Sequence, residues 1–355
     1  MRGVSIVVAG AGALGSAIAC RLARAGGRVL VADSAPAGAN ASGVAAGMLA
    51  PAFETLFDAG SGPQFDLLRE ARDRWPAIAR DLGLAIDRSG AVAAGSPEDV
   101  DAWEQSLARI GADARRLSAA EVARLSPALR PGLAGLRSMD EWRLSSLQTL
   151  DAMRRAATAA GARFRGAEIR DFRPGRLEIT AAGRASADWL VVATGAGRAL
   201  QALAPELAAI APIKGHILRA ETRLPAGPTL RSREAYLCPT GAELILGATM
   251  EPGVEGAAID AGAVARLEAS GARLCPSLAG VNWRPAVGVR ASTPDGLPLA
   301  GASATPRVIL AVGARRNGWL LAPLVAEIVA DLIAGRAGTS HAARAFDPAR
   351  VTAPG

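Results

Sequence analysis

The N-terminal segment contains glycines and an acid at the spacing that binds a dinucleotide. Gly10, Gly12 and Gly15 follow the apolar run Val4–Ala9 and open an Ala-rich helical stretch. In such a loop the first glycine permits a tight turn, the second lets the backbone approach a pyrophosphate, and the third lets helix and strand pack closely. Asp33 ends a second predicted strand, where a carboxylate accepts ribose hydroxyls and repels a 2′-phosphate. The predicted contacts here are Gly10, Gly12, Ala13, Leu14, Gly15, Asp33 and Ser34.

The fingerprint leaves FAD and NAD both open, and a run of small residues at 41–51 bears on the choice. Small side chains there would let a helix N-terminus lie against a bulky planar cofactor. An ordinary Ala-rich core helix is an equally good interpretation of the segment alone, and Ser42–Leu49 is predicted to be helical. The candidate contacts are Ser42, Ala46, Gly47 and Met48.

A third segment, residues 313–321, follows a predicted strand and opens a predicted helix. A helix N-terminus at this point could stabilise negative charge on a reduced flavin. Two adjacent arginines, Arg315 and Arg316, more often lie on a solvated surface, so the segment alone is weak evidence. Its candidate contacts are Asn317, Gly318, Trp319 and Leu320.

Strands and helices alternate at both ends of the chain, around a more strand-rich middle. Predicted helices include Pro63–Leu82, Pro97–Ile110, Ser146–Ala160, Ala263–Leu274 and Leu320–Ile333. Predicted strands include Arg28–Ala32, a pair within Ala85–Gly95, Arg163–Phe172, Leu177–Ala181, Trp189–Ala193 and Val308–Val312, with several more in 213–250. This order predicts an α/β fold in which a Rossmann-like domain is interrupted by a mainly antiparallel α+β domain. The predicted boundaries are 1–85, 146–212 and 286–355 for the nucleotide domain, and 86–145 and 213–285 for the substrate domain.

Composition excludes several other classes of protein. The 355 residues carry a formal charge of +7, but the basic residues are scattered, so no nucleic-acid partner is expected. Three unclustered cysteines and two histidines give little support to a disulfide framework or a metal site. Glycine and charge interrupt every long apolar run, the N-terminal one included, so neither a signal peptide nor stable membrane insertion is expected. A reducing cytoplasm is the default location, and the sequence is compatible with a homo-oligomer.

Motifs along the whole chain resemble those of the D-amino-acid oxidase superfamily, and within it glycine oxidase of thiamine biosynthesis. Besides the N-terminal fingerprint, they are A-S-G-V-A-A-G-M-L-A-P at 41–51, Y-L-C-P at 236–239, L-G-A-T-M at 246–250, G-V-R at 288–290, T-P-D-G-L-P at 293–298 and R-N-G at 316–318. Their order and spacing are far more specific than the dinucleotide fingerprint.

The resemblance implies a noncovalent FAD and oxidation of a small amino acid, through hydride transfer to flavin N5, to an imine. Oxygen would be reduced to hydrogen peroxide, and the imine would hydrolyse or be captured for thiazole synthesis. Arg290 would clamp the substrate carboxylate, Arg316 and Tyr236 would help position the substrate, and Met250 would line its pocket. A guanidinium forms two parallel hydrogen bonds with a carboxylate, which suits the role given to Arg290.

Four positions depart from the family's pattern or discriminate within it. Relatives typically carry an aromatic residue or His before Arg-Asn-Gly, where this chain has Ala314-Arg315, and a proline where Ala291 stands. His216 replaces a common Gln or Glu and is predicted to be structural. Gly288 stands where covalent relatives place a flavin-linking cysteine.

Three functions stay open. The protein could be an oxidase, a dehydrogenase that passes electrons to a quinone or protein, or a flavin-binding protein without turnover.

Overall fold

A computed structural model describes residues 1–58, 64–180, 183–221, 227–240, 242–336 and 338–352. Its helices are α1 (Ala13–Arg24), α2 (Ala41–Val44), α3 (Pro51–Phe57), α4 (Phe65–Leu82), α5 (Pro97–Arg109), α6 (Ala119–Leu125), α7 (Ser146–Ala159), α8 (Ala261–Leu274), α9 (Gly318–Ile333), α10 (His341–Ala345) and α11 (Ala349–Thr352). Its strands are β1 (Ser5–Ala9), β2 (Arg28–Ala32), β3 (Met48–Leu49), β4 (Ala91–Gly95), β5 (Arg115–Leu117), β6 (Ala134–Ser138), β7 (Trp142–Arg143), β8 (Arg163–Arg165), β9 (Ile169–Arg173), β10 (Arg176–Ile179), β11 (Gly183–Ala185), β12 (Trp189–Val192), β13 (Ala211–Glu221), β14 (Thr229–Arg231), β15 (Tyr236–Pro239), β16 (Glu243–Gly247), β17 (Glu251–Pro252), β18 (Arg284–Ser292), β19 (Leu299–Ala302) and β20 (Val308–Val312).

The first sheet has the strand order β19-β20-β12-β1-β2-β8. All neighbours are parallel except β19, which runs antiparallel at one edge. The chain therefore leaves β1, β2, β12 and β20 at the same edge of the sheet. In open α/β sheets the crevice at this carboxyl edge is where ligands bind.

The core of this layer lies between the sheet and helices α1, α4, α7 and α9. Ile18, Trp75, Leu320 and Val325 are fully buried there. Trp75 is fixed further because its indole Nε1 donates a hydrogen bond to the Trp319 carbonyl at 3.1 Å. In the part of the chain that the structure describes, no helix is long and apolar enough to cross a membrane.

The second sheet has nine strands, in the order β17-β13-β16-β15-β14-β4-β6-β5, with β18 paired to β13. It is antiparallel except at the β14–β4 pair. Its strands come from two separate stretches, 91–138 and 211–292. The predicted α/β class with a mainly antiparallel second layer is confirmed, whereas the exact domain boundaries stay a prediction.

Three predicted elements were wrong in extent. The helix predicted at Ser42–Leu49 ends at Val44, and Met48–Leu49 pairs instead with β7. The helical path ends at Ala45, whose ψ of 150° is extended, and Gly47 then turns the chain with a φ of +75° at a point where a Cβ would lie 3.1 Å from the Leu144 carbonyl carbon.

The strand pair predicted in Ala85–Gly95 is a single strand, β4. Asp87 makes only an isolated bridge to Arg143, and the left-handed Gly90 separates it from β4. The strand predicted at Arg163–Phe172 is divided into β8 and β9. Two predicted ends, Pro63 and Ala181, lie outside the described residues.

Candidate functional site

The larger of two neighbouring cavities, here the nucleotide cavity, lies at the carboxyl edge of the first sheet. Its volume is about 440 Å³. The loops that follow β1, β2, β12 and β20 all contribute to its wall. Of the residues predicted to bind a cofactor, those that line it are Gly10, Gly12, Ala13, Leu14, Asp33, Ser34, Ser42, Gly318 and Trp319.

The glycines of the fingerprint allow the close packing that shapes this cavity. Gly10 has a φ of +105°, and a Cβ there would lie 2.8 Å from the Ala193 carbonyl carbon. A Cβ on Gly15 would lie 2.9 Å from the carbonyl carbon of Gly10. Gly15 does not line the cavity, so its part in binding is to let α1 pack against the turn.

Asp33 is held rigidly beside the cavity. One carboxylate oxygen accepts a hydrogen bond from the Ala11 N–H at 2.7 Å, and the other accepts one from the Ala35 N–H at 2.9 Å. Each oxygen keeps a lone pair for a further donor. Asp33 can therefore fix the glycine loop and accept a ribose hydroxyl at the same time.

Ser42 connects the starts of three helices. Its hydroxyl accepts a hydrogen bond from the Ala13 N–H of α1 at 2.9 Å, and the Asn40 side chain accepts one from the Ser42 N–H. The Trp319 indole of α9 donates to the Ser42 carbonyl at 3.0 Å. Ser42 thus holds α1, α2 and α9 together around the nucleotide cavity.

Helix α9 presents its N-terminus at the boundary of the two cavities. The first N–H groups of a helix have no acceptor within it, and Asn317 makes no side-chain capping bond. Anions are favoured at such an end. Leu320 is fully buried in the core and lines neither cavity, so only its backbone can contribute to the predicted contact.

The second cavity, here the arginine cavity, lies between α9 and the second sheet. Its volume is about 200 Å³. Ala41, Ala45, Arg290, Arg316 and Trp319 line both cavities, so a planar ring placed at the boundary would contact each of them. The other predicted residues that line the arginine cavity are Ala46, Gly47, Met48, Tyr236, Met250 and Asn317.

The Arg290 guanidinium lies over Gly215 of the neighbouring strand, β13. Its Nη1 donates to the Thr249 carbonyl at 3.3 Å and lies 3.5 Å from the Met250 sulfur. Among the described residues, no carboxylate lies within 4.0 Å of it. Burial lowers the pKa of Arg290, and the charge of Arg316 adds to this lowering. A half-buried cation without an anionic partner is costly, which makes Arg290 a site for an anionic ligand.

Tyr236 lies on β15 beside this guanidinium. Its ring covers Gly247 of the adjacent strand, where a Cβ would lie 2.8 Å from the Tyr236 Cε1 atom. Burial raises the pKa of the Tyr236 phenol. The hydroxyl therefore stays protonated and can donate a hydrogen bond into the cavity.

The sequence analysis missed an ion-pair network behind these residues. Glu54 on α3 accepts a hydrogen bond from Arg231 at 2.8 Å, and its second oxygen lies 3.2 Å from the Arg316 Nε. Asp58 pairs with Arg315. The pairing of Glu54 with Arg231 joins positions 177 residues apart, and no local pattern could have predicted it.

Glu141 caps the N-terminus of α3 and so fixes the position of Glu54. Its carboxylate accepts hydrogen bonds from the N–H groups of Ala52 at 2.9 Å and Phe53 at 3.1 Å. Burial raises the pKa of Glu141 to about 7. The carboxyl group therefore titrates near neutral pH in the folded protein.

We expect Glu141→Gln to change how the free energy of unfolding depends on pH. A raised folded pKa stabilises the fold below the unfolded value, and this contribution is lost as pH rises through about 7. The difference between the ordinary value of 4.5 and a folded pKa of about 7 corresponds to about 3 kcal/mol. The wild type should therefore lose this amount relative to the variant between pH 4.5 and 7. Urea titrations at several pH values measure it, and parallel curves for both proteins would contradict the assignment.

We expect Gly215→Ala to displace the Arg290 guanidinium. A Cβ at position 215 would lie 2.7 Å from both the Arg290 Cζ and the Thr249 carbonyl oxygen. The KM for a substrate that carries a carboxylate should rise about tenfold, which corresponds to about 1.4 kcal/mol. Gly256→Ala is the matched control, because a Cβ there meets nothing within 4 Å. Equal kinetics for both variants would show that Gly215 does not position Arg290.

Gly288 has no space for a larger side chain. A Cβ there would lie 2.9 Å from the Ala41 Cα atom at the start of α2. A cysteine at this position would require α2 to shift. This geometry agrees with a cofactor that is held without a covalent bond.

Comparisons with known proteins agree with these two cavities. The model of the family described as FAD dependent oxidoreductase matches residues 5–332. The chain belongs to this DAO family. It is 30% identical to a glycine oxidase of Geobacillus kaustophilus over 92% of both chains. It is 29% identical to a bifunctional protein ThiO/ThiG of Synechocystis over 97% of this chain and 54% of that protein.

A solved structure of glycine oxidase from Geobacillus kaustophilus has a TM-score of 0.86 to this fold, with 27% identity. The alignment covers 97% of each chain. The resemblance seen in the motifs is therefore confirmed, and FAD is the cofactor of this oxidoreductase. The nucleotide cavity suits it, because glycines line the turn and the N-terminus of α9 lies at the boundary of the two cavities.

Proposed function

We propose that this enzyme oxidises glycine or another small amino acid, D- or N-methyl-substituted, at its α-carbon. The observation that carries the proposal is the half-buried Arg290 guanidinium, which among the described residues has no carboxylate partner and lies where the two cavities meet. A substrate carboxylate held there would bring its α-carbon toward a flavin ring at the boundary. When bound, FAD supplies hydride acceptance at N5 and reoxidation by dioxygen, which yields hydrogen peroxide.

The substrate side is formed by four residues. Arg290 binds the carboxylate through two parallel hydrogen bonds. The protonated Tyr236 and the guanidinium of Arg316 orient it, and Met250 provides an apolar wall. Hydride transfer depends mainly on alignment, so the site needs no strong protein base. Among the described residues, neither histidine lines the arginine cavity.

The FAD side is formed by the residues of the nucleotide cavity. Asp33 accepts a ribose hydroxyl, and the turn at Gly10 and Gly12 brings backbone close to the pyrophosphate. The N-terminus of α9, at Gly318, stabilises negative charge on the reduced ring. Ala46, Gly47 and Met48 line the arginine cavity and would hold the ring from the substrate side.

Similarity to the glycine oxidase and to the ThiO/ThiG protein supports the substrate class and a place in thiamine synthesis. Hydrogen peroxide release tests the proposal. The purified enzyme is mixed with glycine, sarcosine or D-alanine in air, and peroxide and the oxo-acid product are measured together. Equal amounts of both are expected. Reduction of the flavin without peroxide would instead show transfer to another acceptor.

A further inference from the structure

The arginine cavity contains more positive than negative charge. Arg231, Arg290 and Arg316 line it, together with the single inner carboxylate of Glu54. Two other charged residues of its wall, Arg233 and Glu234, form ion pairs with Asp99 and Arg273 respectively. These two pairs add no net charge to the cavity. Among the described residues of the inner wall, three guanidinium groups therefore face a single carboxylate.

The distances show how this carboxylate is divided. Glu54 lies 2.8 Å from Arg231 and 3.2 Å from Arg316, so it serves two guanidiniums at once. Asp58 comes no closer than 3.9 Å to Arg316 and is bound more closely by Arg315. Arg290 has only a carbonyl oxygen and a sulfur beside it. Two positive charges consequently have no counter-charge in the cavity wall.

Burial makes this imbalance significant. Arg231 is 2% exposed and Glu54 is 3% exposed. Solvent therefore screens their charges poorly. Burial alone would raise the pKa of Glu54, but the charges of Arg316, Arg231 and Arg290 together lower it. The excess charge thus acts strongly on any group that enters the cavity.

The two sides of the cavity also suit two separate anchors. Arg290 lies on β18 and Arg231 lies on β14, with β13, β16 and β15 between them in the sheet. Tyr236, on β15, stands between the two arginines and can donate a hydrogen bond. A substrate with one carboxylate would neutralise Arg290 and leave the charge near Arg231 and Arg316 unbalanced.

We propose that the preferred substrate is an amine with two carboxylates. One carboxylate binds Arg290, and the second binds between Arg231 and Arg316, so that both excess charges are neutralised. The inference rests on the proposed function and narrows its substrate class. It includes acidic D-amino acids and secondary amines with a carboxymethyl group on each side of the nitrogen.

The test compares pairs of substrates that have nearly the same shape and differ by one charge. D-aspartate is paired with D-asparagine, and iminodiacetate is paired with its monoamide. We expect kcat/KM to be about 10- to 100-fold higher for the dicarboxylate of a pair, as for other hydrogen bonds to charged groups. The two pairs also distinguish the primary from the secondary amine.

Arg231→Gln should bring the ratio of the two kcat/KM values close to one in each pair for which the wild type prefers the dicarboxylate. FAD occupancy of the variant is checked by absorbance. Ratios near one in the wild type would overturn the dicarboxylate inference, and oxidation of the monocarboxylates would then leave the proposed function intact. If no member of either pair and no simple amino acid reduces the flavin, both proposals fall. If the ratio is high but unchanged in Arg231→Gln, the second anchor is not Arg231 and the inference is wrong as stated.

Discussion

Arg290→Ala should raise the KM for carboxylate-bearing amines by about a hundredfold or more. The half-buried guanidinium would meet the substrate carboxylate and be covered by it, and loss of one partner of a buried pair costs about 3–5 kcal/mol. An amine without a carboxylate should be affected much less. Steady-state kinetics on glycine, with FAD occupancy checked by absorbance, measures the effect.

Arg290→Lys is the matched variant. An ammonium keeps the charge but cannot reproduce the planar pair of hydrogen bonds, so it should restore activity only in part. If Arg290→Ala keeps full FAD occupancy and the wild-type KM, Arg290 is not the clamp. Arg316, which lines the same cavity, would then be the stronger candidate.

Glu54→Gln should lower the free energy of unfolding by about 3 kcal/mol or more. The substitution removes the only carboxylate within 3.5 Å of Arg231 among the described residues, and it also leaves Arg316 with the more distant Asp58. Breaking a buried ion pair from one side leaves an uncompensated charge, which is strongly destabilising. Urea denaturation of the FAD-bound protein measures the change.

Glu70→Gln provides the control for this variant. Glu70 pairs with Arg74 at 2.9 Å, but both side chains are partly exposed. Such pairs contribute about 0–1 kcal/mol. Equal destabilisation by the two substitutions would show that the Glu54 network does not stabilise the fold.

A high concentration of a dicarboxylate ligand should further stabilise the wild type, because ligands that bind only the folded state raise its stability.

Two strands of the first sheet could be predicted with their bounds because their signals are local. Arg28–Ala32 and Val308–Val312 have the predicted bounds, since each is a short apolar run between turn residues. The segment at Ser42–Leu49 could not be predicted in this way. Its small residues suit a helix, but pairing with β7 and the left-handed Gly47 determine its path. Tertiary contacts there override local preference.

The residues of the site also differ in whether local sequence could predict them. The glycine turn and Asp33 follow from spacing, and the resemblance drew attention to Arg290 and Tyr236. Nothing local indicates that Gly215 makes space for Arg290, because the contact depends on the register between β13 and β18. The three arginines around Glu54 likewise come from β14, β18 and the start of α9. Their shared charge becomes visible only in the folded chain.

Anaerobic reduction of the bound FAD tests directly whether the enzyme oxidises an α-amino acid that it binds through the carboxylate. The enzyme is mixed without oxygen with an α-amino acid, and the loss of flavin absorbance is followed over time. We expect rapid bleaching by the amino acid and very slow bleaching by the corresponding amine that lacks the carboxylate. Flavin that no α-amino acid can bleach, or that both compounds bleach at the same rate, would contradict it.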